Sequence, residues 1–262
     1  MAIVPMKRLE LYGLKRERKA VLEYLQSRGV VEVHTPEEAE NLFARTDTTQ
    51  AQLEFEQSIH LLEQAVALLD EYAPVKKSMF AALEGRTPVS QSEYDNLWKR
   101  APALLEKARE INALGKRVTD NNAQILRLEA QLESLKPWMS LDIPLDFKET
   151  KHCRVFAGSL PEDLDEQTLK NKLAQLLPQI PGVDAEVLSR QAQQTCIFCL
   201  CHKQDAAPVE EALRSLGFTY PAFSTELPPG QQAERIKQEI RHIENERENT
   251  QKAIRARSDQ RR

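Results

Sequence analysis

Between Ala103 and Leu135, apolar residues recur at two positions of a seven-residue repeat, and the exceptions are Lys107 and Asn121. Side chains at these two positions interlock with a facing helix, so the repeat predicts a long helix that pairs with another one. A polar residue at such a site can fix the register of the pair. The apolar residues predicted to form this seam are Leu104, Ile111, Leu114, Val118, Ile125, Leu128, Leu132 and Leu135.

A second helix of this kind is predicted to begin near Gln231 and to return antiparallel to the first. It contributes Ile236, Ile240 and Ile243 to the seam. Earlier in the chain, a third apolar line steps by four and three residues, which predicts a further coiled-coil seam or a bundle face. This third line consists of Phe55, Ile59, Leu62, Val66 and Leu69.

The segment between the two helices alternates between strand and helix patterns. Its predicted order is βαββαβ, the ferredoxin-like arrangement, in which the first and third strands are central. The third strand reads CIFCLC and is apolar on both faces, as a central strand should be. The predicted strands cover 154–157, 185–190, 195–201 and 218–223, and the predicted helices cover 164–177 and 208–216.

A shorter α/β pattern opens the chain, with a strand predicted at 6–12, a helix at 15–28 ended by Gly29, and a strand at 30–34. About 34 residues bury too little surface to be stable alone. We therefore expect this half-lobe to be completed by a partner or by chain from elsewhere, including chain encoded beyond residue 262.

Together these patterns predict an α+β fold. A long antiparallel coiled coil or helical arm carries a ferredoxin-like distal lobe, and an incomplete βαβ half-lobe lies at the N-terminus. The predicted divisions are a proximal half-lobe at 1–40, an outgoing arm at 41–136, the distal lobe at 137–228 and a returning, truncated helix at 229–262.

The composition excludes several classes of function. A net charge of −4 and a pI near 5.9 argue against a nucleic-acid binder. The sequence contains no run of about 18 apolar residues, so it predicts no membrane-spanning helix. The sequence has no phosphate-binding G-x-x-x-x-G-K-[ST] motif and no triad-like arrangement of histidines. We therefore predict a non-enzyme without a cofactor.

The four cysteines raise the question of a zinc site. Cys196, Cys199, Cys201 and His202 supply suitable ligand types, and His152 and Cys153 belong to the same predicted sheet. Strand alternation, however, directs Cys199 and Cys201 away from Cys196. We therefore interpret the cysteines as small hydrophobic residues that stay reduced in a cytosolic protein.

Three motifs carry a resemblance to a known family: VPMKRLELYGLKRERKAVLEYLQSRGVVEVH from Val4, LKPWMSLDIPL from Leu135 and VFAGSLPEDL from Val155. In this order and spacing, the chain resembles the start of subunit I of V-type ATPases and ATP synthases, the a-subunit family. The resemblance implies a cytosolic part with two α/β lobes joined by an antiparallel coiled coil, followed by a proton- or sodium-translocating membrane domain. The sequence ends before that membrane domain, so ion translocation is assigned to no residue here.

The resemblance also implies partners and a location. We expect the chain to bind peripheral-stalk subunits (E/G-type heterodimers), the central-stalk cap subunit and its own C-terminal membrane domain. It would lie at the cytoplasmic face of the membrane, soluble by itself, and act as a stator against rotor torque.

Six residues are candidates for partner binding: Trp138, Phe218, Tyr220, Phe223, Arg16 and Arg18. Aromatic residues are enriched at interface hot spots, although in a small lobe they are often simply buried. The basic run at 15–19 either meets anionic lipid or an acidic partner, or forms the solvated face of a helix.

Other functions remain open from the residues alone. An unrelated coiled-coil tether or scaffold with an α/β interaction lobe is the main alternative, although it would need a nucleotide-binding head or a basic patch. A small-molecule sensor would need a cleft between paired lobes. An RNA binder would need stacking aromatics, for which only Phe156 and Phe198 are available on the central strands.

Overall fold

The computed structural model describes residues 6–33, 48–75, 88–191 and 193–261. The chain divides into two compact units between Glu110 and Ile111. The helices are α1 (Arg18–Arg28), α2 (Thr49–Tyr72), α3 (Gln91–Leu135), α4 (Glu166–Leu176), α5 (Ala206–Ser215) and α6 (Pro229–Arg255). The strands are β1 (Cys153–Leu160), β2 (Val183–Gln191) and β3 (Gln194–His202).

The N-terminal segment differs from its prediction. Residues 6–12 and 30–33 form no strand, and residue 34 lies outside the described residues. A strand needs a neighbour to receive its backbone hydrogen bonds, and the described part of this segment supplies none. The helix itself forms, from Arg18 after a 3₁₀ turn at Lys15–Glu17, and Gly29 ends it in the left-handed conformation with φ of 64°.

Helix α2 buries a different face from the predicted one. Ala65 and Leu69 are buried and Leu61 is half-buried. The line of packed residues on α2 is therefore rotated about the helix axis relative to the predicted line. Of the five residues predicted to pack, only Leu69 is buried. Phe55, the first of them, is 53% exposed.

The distal lobe contains one antiparallel sheet in the order β1-β3-β2, so β3 is central as predicted. The predicted fourth strand is reduced to a single bridge between Ser159 and Thr219, whose two backbone hydrogen bonds measure 2.8 and 2.9 Å. The next hydrogen-bonding position after Thr219 is Pro221, which has no N–H to donate. The sheet therefore has three strands among the described residues, and the ferredoxin-like prediction is not confirmed in this detail.

Both faces of the sheet are covered. On one face, Phe156, Ile197 and Cys199 pack with Leu169 of α4 and Leu213 of α5. On the other face, residues of the sheet pack with residues of α3 and α6. The sheet is therefore the middle layer of three, with α4 and α5 on one face and the α3–α6 pair on the other.

Candidate functional site

The candidate site is the junction at which α3 and α6 meet the sheet. Helix α3 ends at Leu135 and passes into a 3₁₀ turn at Lys136–Trp138, where Pro137 cannot continue the α-helical hydrogen bonds. Helix α6 begins at Pro229, whose missing N–H costs nothing at the first helical position. Proline thus marks both helix ends at the lobe.

A single hydrophobic cluster joins the helix pair to the sheet. Trp138, which is 4% exposed, packs in the same cluster as Ala157 of β1 and Cys196 of β3. Ile125 of α3 and Ile236 of α6 belong to it as well. Because helix and sheet side chains share one close-packed core, the lobe cannot turn against the helices without separating many contacts at once.

A buried hydrogen bond ties the two connecting segments of the junction together. The backbone N–H of Leu145 donates to the hydroxyl of Thr225 at 2.9 Å, and Thr225 is 5% exposed. These residues follow α3 and precede α6 and are 80 positions apart in the chain. Sequence reasoning missed Thr225, which lies four residues before the start of α6.

Helices α3 and α6 run antiparallel within the second unit. Gln124 donates to Glu239 at 3.4 Å, and Arg247 donates to Asn122 at 2.9 Å. An earlier residue of α3 thus meets a later residue of α6. Side-chain amide and guanidinium groups therefore border the apolar seam and specify one register for the pair.

The structure places the predicted seam residues as follows. In α3, the predicted residues are buried at Ile111, Val118, Ile125, Leu128 and Leu135, and half-buried at Leu104, Leu114 and Leu132. In α6, Ile236 and Ile243 are buried and Ile240 is half-buried.

The seam shifts in the first half of α3. Lys107, a predicted seam site, is exposed, whereas Ala108 and Gly115 are buried. An α-helix has 3.6 residues per turn, so a strict seven-residue line drifts by about 20° per repeat. The buried residues therefore follow the adjacent line through Ala108 and Gly115, and the predicted polar site at Lys107 is not part of the seam.

The six candidate partner-binding residues separate by exposure. Trp138 and Phe218 are buried and Phe223 is half-buried, so the first two serve the core. Tyr220 is 48% exposed and touches Phe218 edge-on, with ring centroids 5.1 Å apart. Arg16 and Arg18 are exposed.

The cysteines occupy both faces of β3. Cys199 and Cys201 belong to the cluster under α4 and α5, whereas Cys196 belongs to the cluster under the helix pair. Burial raises the pKa of Cys199 to about 12 and also raises the pKa of Cys196 and Cys201. These thiols stay protonated and behave as small apolar side chains. Within the described ranges, no three His, Cys, Asp or Glu side chains are grouped to hold a metal ion.

Comparisons with known proteins find similarity among solved structures. No family model and no curated protein matches the chain. Among solved structures, it is similar to the cytoplasmic N-terminal domain of subunit I, a homolog of subunit a, of V-ATPase. The identity is 19%, the match covers 94% of this chain and 78% of that chain, and the TM-score is 0.47. Among the helices of the described residues, none is long and apolar enough to cross a bilayer.

Proposed function

We propose that this chain is a stator element of a rotary V-type ATPase, a non-catalytic part that connects peripheral stalks to an ion-translocating membrane domain. The observation that carries the proposal is the single core shared by the helix pair and the distal lobe. The three sequence motifs that resemble the a-subunit family support it. The junction motif LKPWMSLDIPL contributes Leu135, Trp138, Leu141 and Leu145 to that core.

A stator has to transmit force between two attachment points without absorbing it in loose joints. The interlocked side chains of the α3–α6 pair resist sliding, because each step would separate many packed atoms together. The lobe is held by Trp138 from one helix end and by Ala233 from the other. Two attachments on one chain also add avidity, since binding at one site raises the effective concentration at the other.

In this proposal the partners are E/G-type peripheral-stalk heterodimers, the central-stalk cap subunit and the membrane domain of the same protein, at the cytoplasmic face of the membrane. The exposed candidates serve as contacts: Tyr220 on the distal lobe, and Arg16 and Arg18 at the proximal end. Trp138 and Phe218 act indirectly, by holding the lobe in shape. Hydrolysis or synthesis of ATP belongs to partner subunits.

Binding to a purified peripheral-stalk heterodimer tests the proposal. We expect the 262-residue chain to form a saturable complex, and we expect Tyr220→Ala to weaken it about tenfold, as for a modest hot spot. Leu176→Ala is a matched control, because Leu176 is 46% exposed on the same lobe and belongs to no proposed contact. An Arg16→Glu, Arg18→Glu double variant probes the proximal contact. Failure of the unmodified chain to bind would reject the stator role and leave a tether of another kind.

A further inference from the structure

The face of α2 that was predicted to pack is exposed instead, and we call it the α2 stripe: Phe55, Ile59, Leu62 and Val66. Their exposed fractions are 53, 54, 36 and 40%. Their spacing of four, three and four residues places them on one side of the helix. Large apolar side chains that are contiguous and exposed mark interaction surfaces more often than scattered ones do.

Aromatic residues of α3 extend the α2 stripe at one end, within the first unit. The rings of Phe55 and Trp98 lie 5.9 Å apart between centroids. Trp98 is 52% exposed, and Tyr94, one helical turn earlier, is 56% exposed. Tryptophan and tyrosine are the residues that most often anchor protein interfaces. The surface therefore combines a helical apolar line with an aromatic end.

Carboxylates beside the α2 stripe indicate the charge of a helix that could bind there. Glu56 and Glu63 are spaced by seven residues, and each directly follows a residue of the α2 stripe, Phe55 or Leu62. In coiled-coil terms they occupy the flanking position at which ion pairs select the partner. Over its 24 residues, α2 has five carboxylates (Glu54, Glu56, Glu63, Asp70 and Glu71) and no lysine or arginine.

We propose that the α2 stripe binds an amphipathic helix of a partner protein whose apolar line is flanked by lysine and arginine. A second copy of α2 fits poorly, because antiparallel pairing would bring the acidic line opposite itself, and like charges there are destabilising. A basic flank on the partner instead places an ammonium or guanidinium group beside Glu56 and Glu63. This proposal is independent of the stator role.

A pair of synthetic peptides tests directly whether a basic flank is what the α2 stripe selects in a partner helix. Both have about three heptads with leucine at the two seam positions, and they differ only in carrying lysine or glutamate at the flanking positions. Anisotropy of the labelled peptides is measured against the whole 262-residue chain. We expect the lysine peptide to bind at least tenfold more tightly than the glutamate peptide, and we expect about 0.5 M salt to reduce that preference.

Variants locate the binding and test the charge rule. Ile59→Asp should weaken the lysine peptide at least tenfold, because it puts a carboxylate in the middle of the α2 stripe. The matched Gln57→Asp change, on an exposed position facing away from the α2 stripe, should leave binding unchanged. The double change Glu56→Lys, Glu63→Lys should reverse the preference between the peptides. Circular dichroism of each variant checks that the helices remain folded.

Three results would overturn the proposal. Equal binding of both peptides would show that charge does not select the partner. Absence of binding by either peptide to a monomeric chain would show that the surface is not a helix-binding site. Sedimentation of the chain as a dimer that Ile59→Asp dissociates would assign the α2 stripe to a second copy.

Discussion

Residues 6–33 and the distal lobe begin from the same kind of sequence and reach different structures. In both, apolar residues recur in strand patterns around a helix, with simple alternation in the predicted strand at 6–12. In the distal lobe, Phe156 and Ile197 are 0% exposed. In the N-terminal segment, Leu9 and Leu11 are 77 and 67% exposed, and no residue of α1 is buried. Alternation marks a face that can be buried, but another element has to cover that face.

The covering elements explain the difference. Each face of the distal sheet has helices packed on it, α4 and α5 on one side and the α3–α6 pair on the other. Burial of apolar area contributes roughly 25 cal/mol per Å², and it also offsets the entropy lost when a strand is fixed. The described part of residues 6–33 has no such cover. Substitutions that are costly in the lobe should therefore cost little there.

Glycine-to-alanine substitutions should give the largest difference in stability loss between a covered and an uncovered position. A Cβ at Gly158 of β1 would lie 2.5 Å from the backbone oxygen of Thr219 and would also overlap the ring of Phe218. We expect Gly158→Ala to destabilise the lobe by about 3 kcal/mol or more, since backbone cannot move aside as a flexible side chain does. Gly13→Ala and Gly182→Ala, where nothing lies within 4 Å, should change stability by less than about 0.5 kcal/mol. Urea unfolding followed by Trp138 fluorescence, in a Trp98→Phe background, measures this.

Leucine truncation should give the next largest contrast. Leu169 of α4 is 0% exposed, whereas Leu22 of α1 is 43% exposed. Leu169→Ala leaves a cavity in a close-packed core and should cost about 3 kcal/mol. Leu22→Ala should cost less than about 0.5 kcal/mol. Comparable losses in the same urea titration would mean that Leu22 of α1 is packed as closely as Leu169 of α4.

Loss of a buried hydrogen bond in the lobe should lower the free energy of unfolding by less than Gly158→Ala or Leu169→Ala does. Thr195 is fully buried, and its hydroxyl donates to the carbonyl of Glu162 at 2.7 Å and accepts from the N–H of Leu164 at 2.9 Å. Thr195→Val would leave both backbone groups without this partner, so we expect a loss of about 2 kcal/mol. Thr195→Ser keeps the hydroxyl and should lose about 1 kcal/mol for the missing methyl group. An equal loss in both variants would show that packing, rather than hydrogen bonding, matters at this site.

The sequence predicted the elements of the lobe well and their environment less well. The two lobe helices and the three strands form within about three residues of their predicted positions, because their patterns are local. The fourth strand failed at Pro221, a signal that was present in the sequence. For α2, two adjacent apolar lines were available, through Phe55 and through Leu61, and periodicity alone does not say which one another helix covers. The seam of α3 shows the same limit, since Lys107 and Ala108 are neighbours and only packing selects between them.

The smallest expected effect concerns helix capping. The carboxylate of Asp165 accepts from the N–H of Thr168 at 2.7 Å and caps α4, whereas α1 has no side-chain cap. Hydrogen bonds from Thr168 hold the pKa of Asp165 below its usual value of 3.8. The cap therefore contributes stability above pH 3.8, and that contribution is lost as the pH falls through the lower pKa of the folded state.

Asp165→Asn isolates this contribution, because asparagine also caps helices but does not titrate in this range. We expect the variant to resemble the unmodified chain near pH 7 and to lose less stability between about pH 5 and pH 3. Glu149 also has a lowered pKa and is unaffected by the substitution, so it contributes equally to both pH profiles. The charge of Asp165 raises the pKa of the neighbouring Asp163, so the difference between the profiles belongs to Asp165 together with its effect on Asp163. Parallel profiles would mean that the cap acts only as a neutral hydrogen bond. In that case α4 would owe its stability over α1 to burial alone.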